Sequence, residues 1–220
     1  HLATTRSTLL ILQNLYLETK SEQLLVKSTD LDQTLEVLVD GTVNETGSIT
    51  VPARLIVEYL TNNPDEGISI ESNDLDLTIR SSNHQAKMKG LAAEEYPSQT
   101  ALKPQSAISL PSALLHQAIA RTIFASAQDE TRPILNGLLW RFKGSILTLV
   151  ATDGYRLACQ SLKVVESVEG DFIIPKRALQ ELLKLPSGGE IGLAFAGNQA
   201  RFTLGAVNLT TRLLDGTFPA

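Results

Sequence analysis

Three twelve-residue stretches of this chain share one arrangement of apolar and polar positions: ITVPARLIVEYL from Ile49, ISLPSALLHQAI from Ile108 and FIIPKRALQELL from Phe172. Each carries a short apolar run up to a proline, then spaces its apolar residues three and four apart. The run reads as a short strand and the spaced segment as an amphipathic helix. Proline suits the first helical turn, where its missing N–H costs nothing. It also forces the preceding residue into an extended conformation. Pro52, Pro111 and Pro175 are therefore expected at abrupt strand-to-helix junctions. The helical stripes run through Ile56, Tyr59 and Leu60, through Leu115, Ala118 and Ile119 as far as about Ala125, and through Leu179, Leu182 and Leu183.

Between the helices the pattern predicts strands at Ile134–Phe142, Ile146–Ala151, Tyr155–Val164 and Phe172–Ile174, then three more ending near Leu213. Asp153-Gly154 carries the signal of a two-residue hairpin turn. Strand alternation after that turn sends Tyr155 and Leu157 to one side and Arg156 to the other. Each half of the region is thus β-α-β-β-β, and the fold class is α+β.

The three prolines lie 59 and 64 residues apart, and a second, closer match appears at an offset of 123. Leu12 and Leu135, Thr29-Asp30 and Thr152-Asp153, Pro52 and Pro175, Ile68 and Ile191, and Leu91 and Leu214 all pair at that distance. Such periodicity marks a tandem duplication of a domain that is itself two similar halves. The expected domains are residues 1–100 and 101–220, joined by the polar segment PSQTALKPQS at 97–106. The first copy has no counterpart of the leading strand and helix around Pro111, so it is expected to be truncated at its amino end.

At 43% hydrophobic residues and a mean hydropathy of +0.03, each copy has enough apolar material for a core. No apolar run reaches the eighteen or so residues of a membrane helix. The start carries no basic-then-apolar signal pattern. Cys159 is the one cysteine, which fits a reducing compartment and a cytoplasmic protein. The net charge of −5 hides a split. Residues 1–100 hold seven Lys/Arg against fifteen Asp/Glu, and residues 101–220 hold twelve against nine. An acidic total argues against a wholesale nucleic-acid coat, but affinity for phosphate follows the local field.

His1, His84 and His116 are scattered over different elements, so no metal constellation is expected, and no cofactor motif occurs. Asp30 and Asp153 could be paired carboxylates of an enzyme. They hold equivalent places in separate copies, and a Thr-Asp pair at a strand end bonds its own backbone, so a duplicated turn is the simpler reading. The run ATDGYRLA at 151–158 differs from its sister STDLDQT at 28–34 in its glycine, aromatic and arginine. The second copy carries something the first lacks.

At these residues the chain resembles the bacterial DNA polymerase III β subunit, the sliding-clamp family. TRPILNGLLW (131–140), ATDGYRLA, GDFIIPKRALQELL (170–183) and LLDGTFP (213–219) carry the resemblance in the second copy. LLILQNLYL (9–17) and GSITVPARLIVEYL (47–60) carry it in the first. Family members have three such domains and dimerise head to tail into a ring around double-stranded DNA, with helices lining the hole. This chain is similar to most of domain one and nearly all of domain two. The third domain is absent, so no ring is expected from this chain alone.

The resemblance implies a protein-binding pocket at Leu135, Thr152, Gly154, Tyr155, Arg156 and Leu157, with Pro219 at its edge. There the DNA polymerase III catalytic subunit, the clamp loader and other factors insert a linear motif bearing glutamine and large apolar side chains. Tyr155 stands where other members often have histidine. In such a pocket, Leu157 is expected to join Leu135 in an apolar floor. The resemblance places Arg6 and Arg132 in loops that approach DNA, and Arg121, Lys176 and Arg177 on helices facing the hole. It implies no catalysis and no cofactor. Two alternatives stand beside it: an enzyme handling an acidic or phosphorylated ligand through Asp153 and Arg156, and a peptide-binding scaffold without DNA.

Overall fold

The computed structural model describes residues 9–65, 67–97, 107–128 and 131–219. The chain forms two compact units, residues 1–100 and 101–220. In the first unit, β1 (Asn14–Lys20), β2 (Gln23–Thr29), β3 (Gln33–Asp40) and β4 (Ser48–Pro52) form an antiparallel sheet in the order β4-β1-β2-β3. Helix α1 (Ala53–Asn62) follows, then a second sheet of β5 (Ser69–Asn73), β6 (Asp76–Arg80) and β7 (Gln85–Lys89). Leu17, Ile49, Val51, Ile56, Leu77, Ile79 and Met88 fill the space between these layers.

The second unit opens with β8 (Ala107–Pro111) and α2 (Ser112–Ala120). It continues through β9 (Gly137–Thr152), β10 (Leu157–Pro175), α3 (Lys176–Leu182), β11 (Glu190–Ala196), β12 (Gln199–Leu204) and β13 (Val207–Arg212). Strands β13-β12-β11-β8 lie side by side, and β9 pairs with β10. Aromatic rings pack against one another in this unit. Trp140 packs edge-on to Phe202 with ring centres 5.7 Å apart, and Phe172 stacks on Phe195 at 4.0 Å. No helix among the described residues is long and apolar enough to cross a membrane.

The duplication is written in the strand registers. Asn14 opposes Pro52 and Gly137 opposes Pro175; Thr29 opposes Thr34 and Thr152 opposes Leu157. Ser69 opposes Arg80 and Gly192 opposes Thr203; Asp76 opposes Lys89 and Gln199 opposes Arg212. Every pair shifts by the same 123 positions. One-residue slips would turn each strand's apolar face outward, so shared registers mean shared cores. Even the tight turn after β1 recurs: Ser21 has φ +53 and Gly144 has φ +58.

Each of Pro52, Pro111 and Pro175 is the last residue of its strand and the cap of the next helix, with φ between −58° and −56°. The junctions are where the sequence put them, one place earlier than the first helical turn. Other expectations are corrected. The strands expected at Ile134–Phe142 and Ile146–Ala151 run together as β9, and those at Tyr155–Val164 and Phe172–Ile174 as β10, with a register shift between Lys163 and Val168. Residues Pro133–Asn136 form a 3-10 turn instead of strand. Helix α2 stops at Ala120, well short of Ala125. There the Thr122 hydroxyl donates to the carbonyls of Ala118 and Ile119, and a 3-10 turn at Ile123–Ala125 replaces the helix. Thr122 satisfies the last carbonyls in place of another helical turn.

In α1 only Ile56 of the expected stripe is buried; Tyr59 is half-buried and Leu60 is exposed, as are Leu55 and Val57. Ile56 packs among residues of both sheets, while Leu55, Val57 and Leu60 stay open to solvent. In α2 and α3, by contrast, Leu115, Ala118, Ile119, Leu179 and Leu182 are fully enclosed. Stability should follow this difference. Leu149→Ala, at a fully buried site, is expected to cost about 2–5 kcal/mol in urea unfolding, and Leu60→Ala no more than about 0.5 kcal/mol. Amide hydrogen exchange should show the first unit opening at lower free energy than the second; equal protection in both would contradict this.

Candidate functional site

The loop between β9 and β10 is built by two side chains. Thr152 Oγ1 accepts the Gly154 N–H at 3.0 Å and donates to the Arg156 carbonyl at 2.7 Å. Asp153 Oδ1 accepts the N–H groups of Tyr155 and Arg156, both at 3.0 Å. The first unit repeats the device. Thr29 Oγ1 accepts from Leu31 N–H and donates to the Gln33 carbonyl, and Asp30 Oδ1 accepts from Asp32 and Gln33. The expected two-residue turn at Asp153-Gly154 is therefore a four-residue loop, 153–156, because these short side chains satisfy the backbone donors that a tighter hairpin would pair across strands. Tyr155 and Arg156 lie in the loop, so strand alternation starts only at Leu157. The duplicated turn role of Asp30 and Asp153 is what the geometry shows.

Position 154 has φ +92 and its counterpart Leu31 has φ +78. The loop imposes a left-handed residue in both copies, and only the second meets it with glycine. A side chain at 154 would also stand 3.4 Å from Nη1 of Arg132.

The remaining residues of the expected pocket divide by burial. Leu135 is enclosed with Ala127, Leu139, Ile173 and Phe218, and with Ile134, Val150 and Leu214 at the margin. Its N–H donates to the Arg132 carbonyl and its carbonyl accepts from Ala127, each at 2.9 Å. Thr152 is also buried. Gly154, Arg156 and Pro219 are exposed, Leu157 is 64% exposed and Tyr155 98% exposed. Leu157 thus does not share a closed floor with Leu135, as the sequence suggested. It is the first residue past the loop and stands outside the buried cluster as an open apolar side chain.

Arg156 is braced. Its Nε donates to Asp153 Oδ2 at 3.0 Å, and its Cζ lies 5.7 Å from the centre of the Phe124 ring. The two loop N–H groups, and then the guanidinium, hold the Asp153 carboxyl below its ordinary value of 3.8. Both carboxylate oxygens are thereby committed. Arg132 sits on the exposed stretch before the Pro133–Asn136 turn, with its tip over Gly154. Arg121 caps α2 and is exposed, Lys176 and Arg177 open α3, and Arg6 lies outside the described residues. Among the described residues no three His, Cys, Asp or Glu side chains group to hold a metal ion.

Comparison with known proteins gives these features a family. Residues 2–100 match the DNA polymerase III beta subunit N-terminal domain and residues 109–220 its central domain. The chain belongs to the DNA polymerase III beta subunit family. It is 33% identical over 226 residues to the beta sliding clamp of Staphylococcus aureus, covering 97% of this chain and 60% of that one. Among solved structures it resembles a sliding clamp of Pseudomonas aeruginosa bound to griselimycin, with TM-score 0.93, 31% identity, and 99% and 61% of the two chains covered. The Bacillus subtilis sliding clamp matches with TM-score 0.93 at 30% identity, over 99% of this chain and 61% of that one. The chain spans about three fifths of the length of these relatives.

Sequence reasoning missed Phe124 and Phe218 and the role of Asp153 as a partner of Arg156. Phe124 falls off the stripe Leu115, Ala118, Ile119, which is the one signal in the sequence that it faces elsewhere. Phe218 sits in a glycine- and proline-flanked tail that has no periodicity to read.

The loop generates two expectations. Its Asp153 carboxylate is stabilised in the folded state, so its contribution is full above the ordinary carboxylate value. It is lost as the pH falls through the depressed folded one. A carboxyl NMR titration should give a midpoint below 3.8. It should stay below in Arg156→Ala, because the backbone donors are the larger cause; a return to the ordinary value in that variant would assign the effect to the ion pair. Gly154→Ala should cost about 1–2 kcal/mol in urea unfolding, the penalty of a left-handed residue with a Cβ.

Proposed function

We propose that this chain forms the first and middle domains of a sliding clamp: a processivity subunit that encircles duplex DNA and tethers the polymerase through the 152–157 loop. The observation that carries the proposal is the register repeat at 123 positions, found in a chain whose two units match two successive domains of one family. A ring that slides must treat all sequences alike. Repeated units offer such a surface, and topological enclosure replaces tight binding, so a net charge of −5 is no obstacle.

In this reading Arg6, Arg121, Arg132, Lys176 and Arg177 meet phosphates. Leu135, Thr152, Gly154, Tyr155, Arg156, Leu157 and Pro219 meet the partner peptide. The partners are double-stranded DNA, the polymerase catalytic subunit, the clamp loader and other proteins with the same motif, with a head-to-tail homodimer of the full-length protein, in the cytoplasm. The protein is not an enzyme. An enzyme using Asp153 and Arg156 is disfavoured because the carboxylate already accepts three hydrogen bonds from its own loop. Asp30 also serves the same turn in a copy without the arginine.

Binding of an apolar peptide side chain would bury the open part of Leu157. Leu157→Ala is then expected to cost about 1–2 kcal/mol, or roughly five- to thirty-fold in affinity for a labelled peptide bearing glutamine and large apolar residues. Retention on circular primed DNA after clamp-loader action, measured with the full-length protein, tests the ring. It should persist in Leu157→Ala, with the loss confined to holding the polymerase. Unchanged peptide affinity in Leu157→Ala would move the partner site elsewhere, and failure to be retained on circular DNA would favour a scaffold without DNA.

A further inference from the structure

The guanidinium of Arg156 is fixed from two directions. Asp153 holds its Nε, and its Cζ lies over the face of the Phe124 ring, 5.7 Å from the ring centre. Among the described residues Nε is the one guanidinium nitrogen with a hydrogen bond, so the Nη groups keep their donors for an incoming acceptor. A single bond at Nε leaves the plane free to swing about it. A second restraint on the face removes that freedom.

Phe124 is suited to supply it. The ring is 56% exposed although the two residues that follow it, Ala125 and Ser126, are buried. The 3-10 turn beneath it is closed by Ala125 N–H to the Thr122 carbonyl at 3.0 Å and by the Ser126 hydroxyl to the Ile123 carbonyl at 2.7 Å. A large aromatic held out of the core on a braced turn forms a rigid ledge. An arginine over an aromatic face within about 6 Å is attracted by the ring quadrupole.

We propose that Phe124 is a positioning residue of the peptide site. Its ring holds the Arg156 guanidinium in one plane, so that the Nη groups are aimed before binding at a carbonyl, carboxamide or carboxylate oxygen of the peptide. This rests on the reading of the 152–157 loop as the peptide site. Phe124 acts through Arg156 and not by touching the ligand. Ordering the arginine in advance removes part of the side-chain entropy that binding would otherwise cost.

The test uses the full-length protein and a fluorescein-labelled ten-residue peptide with one glutamine, one leucine and one phenylalanine, read by anisotropy. Phe124→Ala should raise Kd about two- to five-fold, the range of an exposed cation–π contact. Phe124→Trp should restore it, and Phe124→Leu, which keeps apolar bulk without the ring, should not. In an Arg156→Ala background, Phe124→Ala should add no further loss. The Arg156 Nε–H order parameter should fall in Phe124→Ala and Phe124→Leu, with urea midpoints used to exclude a folding defect. A full additional loss in the Arg156→Ala background, or an unchanged order parameter, overturns the proposal. If Arg156→Ala binds like the parent, the peptide-site reading fails instead, and the order parameter alone still decides whether Phe124 fixes the guanidinium.

Discussion

Two short side chains, Thr152 and Asp153, set the geometry on which the site depends. A strand pair closed by a loop of four residues leaves several backbone donors and acceptors without ladder partners, and a buried or half-buried group of that kind costs about 1–3 kcal/mol if left unpaired. Thr152 and Asp153 take four of them between them. The bonds fix a left-handed residue at 154, start β10 at Leu157 and bring Asp153 Oδ2 within reach of the arginine three residues on. Arg156, Gly154 and Leu157 are where they are because the turn is closed from within.

The same turn in the first unit separates what is structural from what is specialised. Thr29 and Asp30 make the equivalent bonds, and Leu31 tolerates the left-handed conformation. Yet that copy has Asp32 and Gln33 where the second has Tyr155 and Arg156. The scaffold needs only the Thr-Asp pair. The glycine relieves backbone strain, and the arginine adds Nη donors that the scaffold does not use. Duplication kept the register and left the loop's outward side chains free to diverge.

Stability and surface charge are carried by different residues. The second unit encloses Trp140, Phe142, Leu138, Leu147, Leu149 and Ile174 almost completely, and each buried apolar side chain contributes about 1.5–3 kcal/mol. The ion pairs are mostly on the surface: Arg141 with Asp171 at 2.7 Å, and Lys87 and Lys89 sharing Asp76 at 3.0 Å. Such pairs contribute about 0–1 kcal/mol each. Charge can therefore be distributed for partners without endangering the core, which is how a chain of net −5 can hold its second half at a positive balance.

The duplication, the strand-to-helix junctions at the three prolines and the turn role of the Thr-Asp pairs were all legible in the sequence. Each rests on interactions between residues close along the chain, or on a pattern repeated at a fixed distance. The length of α2 was not legible, because Thr122 ends it by a hydroxyl bond that competes with an apolar pattern still reading as helix. Nor was the exposure of Leu60 and Leu157. Apolar periodicity shows which side of an element seeks cover, but only the packed layers decide whether cover is there. The pairing of Arg156 with Phe124, and of Arg132 with Gly154, joins residues in different elements. The first meeting depends on how the 3-10 turn after α2 docks against the β9-β10 loop, and the second on how the Pro133–Asn136 turn does, tertiary outcomes that no local spacing encodes.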